Sequence, residues 1–216
     1  MNRPALERDA ALAAGDAVAA DLLSQLQPMR FVEAVNERER TEAFRLRYRA
    51  LVEAGLASAQ EYPDGLDCDE FDADAIQILG WDGDAAVATL RIVQRSVGRT
   101  LPVESAFSLD LESVASVVEW GRLVVDPNYR GDGHSVLLGL AARAWLSMRS
   151  LGYTTALGAT SKQIIGLLEG LGFAITVLGP ARMYLGAERY PILCEARATV
   201  SRLERHVSAP SEPRDQ

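Results

Sequence analysis

A mixed α/β sheet flanked by helices is the fold class that this sequence of 216 residues predicts, and three observations carry it. Short apolar runs of strand character alternate along the chain with segments of helical periodicity. IQILGWDGDAAVATLRIVQ, Ile76 to Gln94, alternates apolar and polar residues on both sides of Asp82, Gly83 and Asp84, which is a hairpin signature. VVEWGRLVVDPNYRGDGHSVLLGL, Val117 to Leu140, runs from an apolar strand through a glycine-broken turn into an apolar helix. That strand carries Glu119 and Arg122, and charges are seldom placed in a buried strand unless paired or used.

Taken in order, residues 4–26 show helical spacing, with Leu12, Val18, Leu22, Leu23 and Leu26 on one broad face. That face is expected to pack on the domain or on a second copy of the chain, the latter giving a homodimer. Pro28 ends the helix. MRFVEAV reads as a short strand, and NERERTEAFRLRYRALVEAG as a helix with Asn36 as N-cap and Gly55 at its end. Residues 56–75 are polar and turn-rich, with the acidic run DGLDCDEFDAD, and a loop of that length is usually functional or mobile. After the hairpin come a helical turn near LPVESAF, the strand at about 115–125, and a helix at 135–151. The strand YTTALGAT, the helix SKQIIGLLEGLG and the strands FAITVLG and RYPILCEARATV complete the list. The expected organisation is a helical extension at 1–27, one domain at 28–200 and a disordered tail at 201–216, where SAPSEPRDQ is compositionally unable to build a core. Trp81, Trp120 and Trp145 read as core residues.

The bulk composition, 48% hydrophobic and 24% charged, is that of a globular protein. A formal charge of −8 excludes general attraction to nucleic acid or to an anionic membrane, both of which require a positive field. No apolar run approaches the roughly 18 residues of a membrane span, and Glu7, Asp9, Asp16 and Asp21 interrupt any signal-peptide core. The expectation is a cytoplasmic protein without a membrane span. Cys68 and Cys194 stand far apart and signal neither a zinc site nor a disulfide framework, so no metal is expected.

YRGDGHS lies between a strand and a helix, where unpaired backbone N–H groups at the helix start favour phosphate. Gly131 and Gly133 permit a tight path and Arg130 adds charge; Asp132, His134 and Ser135 complete the turn. The ending of a P-loop and the dinucleotide fingerprint are both missing. The alternative is a plain steric connector.

The order of strand, RGDGHS turn, helix, strand and a helix ending in LLEGLGF resembles the GCN5-related N-acetyltransferase (GNAT) superfamily, over about residues 29–199. Arg130, Gly133 and Ser135 match its pyrophosphate-loop pattern. The resemblance implies a mostly antiparallel sheet and an acyl-thioester co-substrate. A narrower resemblance is to the autoinducer synthases and N-acyl amino acid synthases. It rests on Arg47 in FRLRYRALV, on Asp67, Asp69 and Asp72 in DCDEFD, on Arg91 in ATLRIV and on Glu119 and Arg122 in EWGR. Leu51 and Ala57 stand where lactone synthases carry aromatics, which points away from a homoserine-lactone product and an S-adenosylmethionine co-substrate.

The resemblance implies an N-acyltransferase that moves an acyl group from an acyl-carrier-protein or CoA thioester to the amine of an amino acid, related metabolite or peptide. No Ser-His-Asp arrangement suggests itself, so direct attack by the amine is the expected route. Glu119 is the candidate base, with Arg122 beside it; the competing reading makes Glu119 the partner of an arginine. In a regular strand these two would face opposite ways, so a β-bulge at or beside Gly121 is expected. Such a bulge splays the strand and frees the backbone of Leu123, Val124 and Val125 for a pantetheine arm. Arg47, Asp69, Asp72 and Arg91 either orient the acceptor or clamp the 56–75 segment to the sheet. No tightly bound cofactor is expected. Asp132 and a basic patch of Arg130, Arg143, Arg149 and Lys162 favour a carrier-protein donor over CoA. The alternatives are an acetyl-CoA acetyltransferase, an acyl-homoserine-lactone synthase and a noncatalytic acyl-binding module.

Overall fold

The computed structural model describes residues 3–96, 98–111, 114, 116–131 and 134–208. The described strands form one sheet of eight: β1 (Arg30–Glu33), β2 (Ile76–Asp82), β3 (Ala85–Gln94), β4 (Val117–Val125), β5 (Thr155–Thr160), β6 (Ile175–Val177), β7 (Arg182–Tyr184) and β8 (Ala187–Glu195). Their order is β1-β2-β3-β4-β5-β8-β6, with β7 on β8. The β4–β5 pair is parallel and the other described pairs are antiparallel.

Two-residue periodicity sends alternate side chains to two helical layers. Ile78, Leu90, Ile92, Val118 and Ala156 pack under α4 (Ser135–Ser150) together with Leu140, Ala144 and Met148. α1 (Arg3–Gln25) and α6 (Ala196–Ser208) lie outside α4 and contribute Leu12, Ala19 and Val200. On the opposite face, α2 (Glu37–Glu53) covers Leu79 with Ala43 and Phe44, and α3 (Pro102–Phe107) seals Val93, Val117 and Leu157. α5 (Lys162–Gly170) follows β5. Asn36 caps α2 as its sequence predicts, its Oδ1 accepting from Glu39 N at 3.0 Å, and Gly55 takes the left-handed conformation after it.

The long N-terminal helix meets α4 and α6 of its own chain. A Cβ at Gly15 would come within 2.5 Å of the Trp145 ring, and Asp16 accepts from Trp145 Nε1 at 2.7 Å. Val18, expected on the packing face, is exposed, because the buried line runs through Leu12, Gly15 and Ala19.

Two other expectations change. RYPILCEARATV is not one strand: β8 stops at Glu195 and α6 begins at Ala196, so helix runs through 201–208, where a disordered tail is expected. Ala196 and Val200 are four apart, a helical spacing that places both against the core. Residues 209–216 lie outside the described set. β7 has no counterpart in the sequence reading, because three residues are too few to show a period.

Candidate active site

The expected bulge is present. Arg91 pairs with Gly121 and Thr89 with Val124, so Arg122 and Leu123 together oppose Leu90. Arg122 has φ +52°, a left-handed conformation that costs a residue with a Cβ about 1 kcal/mol or more. The extra residue reverses the alternation. Glu119 and Gly121 share the face of Arg91, while Val125 returns to the α4 core with Val118.

The bulge also separates β4 from β5. The two strands pair only over Val117–Glu119 and Thr155–Leu157. Beyond that, Gly121–Val125 and Gly158–Thr160 border a cleft of about 560 Å³ that reaches from α2 on one face to α4 and α5 on the other. The volume suits a small-molecule site. Gly158 is needed where the strands part, since a Cβ there would lie 3.0 Å from Trp120 O. Trp120, expected in the core, is half-buried and lines the cleft.

Arg47, Arg91 and Arg122 meet Asp67, Asp69 and Asp72 in a closed ring of alternating charge. Arg47 touches Asp67 (3.0 Å) and Asp72 (2.8 Å); Arg91 touches Asp72 (3.1 Å) and Asp69 (2.6 Å); Arg122 touches Asp69 (2.8 Å) and Asp67 (3.4 Å). Gln77 donates to Asp72 at 2.9 Å. The ring ties the 56–75 segment to α2 and to the sheet. Burial by itself would raise the Asp72 carboxyl, but the bonds from Arg47 and the charges of Arg47 and Arg91 outweigh it and hold the group well below the carboxylate range. Asp69 is lowered in the same way, burial being overcome by Arg122 and Arg91. Burial opposes the charge on Arg122, yet Asp67 and Asp69 raise its pKa on balance.

Glu119 stands beside this ring and outside it. It is 2% exposed, lines the cleft, and has no ion pair among the described residues. Its Oε2 accepts from Val103 N at 2.7 Å. Burial pushes its pKa up to about 7, against the lowering effects of the Val103 bond and of Arg91 and Arg122. Tyr184 on β7 reaches the same space, its pKa raised to about 12 by burial and then by the Glu119 charge. Arg189 on β8 also lines the cleft. Neither was legible in the sequence; the one available signal was Leu185-Gly186, whose two positive φ values make a two-residue hairpin turn between β7 and β8.

At the helix end, Leu123, Val124, Val125, Arg130 and His134 line the cleft. Arg130 Nε donates to Val125 O at 2.7 Å, and His134 N to Gly131 O at 2.8 Å. Ser135 starts α4, whose first-turn N–H groups lack intrahelical acceptors. Gly131 and Ser135 belong to the turn without bordering the cleft, and Asp132 and Gly133 lie outside the described residues. Of the expected basic patch, Arg130 and Lys162 are exposed, whereas Arg143 pairs with Glu33 at 3.0 Å and Arg149 with Asp16 at 3.2 Å. The charges of Arg143 and Arg149 are therefore spent inside the chain. Among the described residues, no helix is long and apolar enough to cross a membrane and no group of three or more His, Cys, Asp or Glu is arranged to hold a metal ion.

A sequence profile of the acetyltransferase (GNAT) domain matches residues 46–139, which span Arg47, the three aspartates, Arg91, Glu119, Arg122 and the turn. BjaI, described as a CoA-dependent acyl-homoserine lactone synthase and solved with SAM and isopentyl-CoA, is 22% identical. The match covers 85% of this chain and 90% of that one, with a TM-score of 0.64. FeeM, an N-acyl amino acid synthase from uncultured soil microbes, is 14% identical over 82% of this chain and 98% of its own, with a TM-score of 0.66. The AHL synthase LasI is 14% identical, covering 82% and 94%, with a TM-score of 0.62. No curated protein sequence matches the chain. The chain has the GNAT fold, in a form similar to that of the solved autoinducer and N-acyl amino acid synthases.

Proposed function

We propose that the protein transfers an acyl group longer than acetyl from a CoA thioester to a primary amine, with Glu119 as general base. The observation that carries this reading is the position of Glu119: a buried carboxyl without an ion pair, at the point where β4 and β5 part. A base whose pKa lies near 7 is half ionised at neutral pH and can still accept a proton from an ammonium group. The freed amine attacks the thioester carbonyl carbon, the C–N bond forms, and the C–S bond breaks as the tetrahedral intermediate collapses. The second amine proton leaves with the thiol or to solvent. The unpaired strand edges at Leu123–Val125 and Gly158–Thr160 suit the amide-bearing pantetheine arm, and Arg130 with the start of α4 suits its phosphates.

Chain length follows from the lining. Ile164, Leu167, Leu168, Phe173 and Ile192 give the α5 side of the cleft an apolar wall that an acetyl group would leave unfilled. CoA is the proposed donor because the paired Arg143 and Arg149 offer no basic surface for an acidic carrier protein, and BjaI supplies a precedent for CoA in this fold. The test is thiol release and product mass with acyl-CoA and acyl-carrier-protein donors of several lengths and a panel of amines that includes S-adenosylmethionine. Turnover of acetyl-CoA at least equal to that of longer chains would reject the acyl reading; faster turnover of the carrier-bound donor would reject CoA.

A further inference from the structure

Among the described residues, two arginines that line the cleft have no carboxylate partner: Arg130 at the helix end and Arg189 near Glu119's side of the sheet. The ring of Arg47, Arg91 and Arg122 with Asp67, Asp69 and Asp72 closes on itself: each arginine meets two aspartates and each aspartate two arginines. It has no charge left for a ligand. Arg189 lines the same cleft, on the β7–β8 hairpin beside Tyr184, and has no carboxylate partner among the described residues. Its Nε donates to Tyr184 O at 3.1 Å, which holds the base of the guanidinium and leaves the two terminal nitrogens without a hydrogen bond among the described residues. A half-buried arginine anchored in this way presents a planar fork suited to a carboxylate.

The surroundings add direction. Glu119, Tyr184 and Arg189 line the same cleft, and the bond from Arg189 Nε to Tyr184 O ties the arginine to the tyrosine's backbone. Burial and then the neighbouring Arg122 disfavour the Arg189 charge, with Tyr184 opposing them, as expected of a cation waiting for an anion. The tip of the hairpin is fixed: a Cβ at Gly186 would meet Leu56 O at 3.2 Å, so the hairpin rests on the segment after α2 and Arg189 is held in register with the cleft. Resting on the acyltransferase reading above, we infer that Arg189 is the acceptor-specificity residue, binding the carboxylate of an amino acid whose amine is turned toward Glu119. The ring then serves as the frame against which that acceptor is placed, and the acceptor's two charges meet opposite charges at opposite ends.

The experiment uses ligands that need no turnover. N-Decanoyl amino acids with the nitrogen α, β or γ to the carboxylate, and the matching carboxamides, are titrated calorimetrically into the wild-type protein and into Arg189→Gln. A charge-assisted fork is expected to favour at least one acid over its amide by roughly 10- to 100-fold in Kd in the wild type. In Arg189→Gln the ratio is expected to fall to about threefold or less, with amide affinity and CoA affinity unchanged. Equal wild-type affinity for acid and amide throughout the series overturns the inference without any variant. So does an acid preference that survives Arg189→Gln in a protein whose thermal melt matches the wild type. Failure of every donor and amine to react, with the acid preference intact, would sink the acyltransferase reading and leave carboxylate binding at Arg189 standing.

Discussion

The two ends of the cleft are built on opposite principles. At the sheet end, three arginines and three aspartates neutralise one another in a ring with Arg47, Arg91, Asp67 and Asp72 almost fully buried. At the helix end, Arg130 is exposed, makes one backbone hydrogen bond through Nε among the described residues, and precedes α4, whose first-turn amides have no intrahelical acceptors. A saturated cluster is architecture, because any ligand must displace a partner it already has. An unsaturated one is a receptor. Glu119 stands between them, too buried to be a surface charge and too isolated to be a member of the ring.

Breaking the ring should have the largest effect. Asp72→Ala leaves Arg47 and Arg91 each short of a buried counter-charge, and unpaired buried charges cost about 3–5 kcal/mol. Urea unfolding should show a loss of that size, with activity falling alongside it. A loss below about 1 kcal/mol would mean that water or a rearranged 56–75 segment replaces the aspartate, and the ring would no longer count as a frame.

Glu119→Gln tests the middle of the cleft. Turnover at neutral pH should fall by about 10²-fold or more, with donor affinity unchanged. The wild-type rate should rise with pH through about 7, as the base form appears, and the variant should lack that limb. Stability carries the opposite sign. A carboxyl raised on folding from its ordinary value of 4.5 to about 7 binds its proton more tightly in the native state, so stability is fully present below about 4.5 and falls as pH rises to about 7. Urea midpoints across that range should decline less in Glu119→Gln than in the wild type. Identical slopes would remove the burial argument for Glu119.

At the open end the expected effect is smaller and confined to binding. Arg130→Ala should weaken CoA affinity by about 10-fold and reduce its salt dependence, with the thermal midpoint unchanged, because an exposed arginine contributes little to stability. A destabilised variant with normal donor affinity would place Arg130 with the architecture and remove the contrast between the two ends.

The bulge shows how far local reading reaches. Glu119 and Arg122, three apart in an apolar strand with Gly121 between them, are incompatible with a flat strand that keeps both on one face, so the irregularity was legible from spacing alone. Its exact form was not: the left-handed residue is Arg122, while the glycine takes an ordinary conformation. The same limit applied to surface charge. Arg143 and Arg149 read as a free patch, and only folding brought Glu33 and Asp16 from 110 and 133 residues away to neutralise them.

Local chemistry was thus sufficient for most of the element order, the Asn36 cap and the β2–β3 hairpin, since each depends on neighbours within a few residues and on one helical or strand period. The ring, the parting of β4 from β5, the position of Tyr184 and the unspent charge of Arg189 depend on which distant segments become neighbours. Sequence spacing carries no record of such meetings, because a charge is paired or free only once burial has decided which opposite charges can reach it.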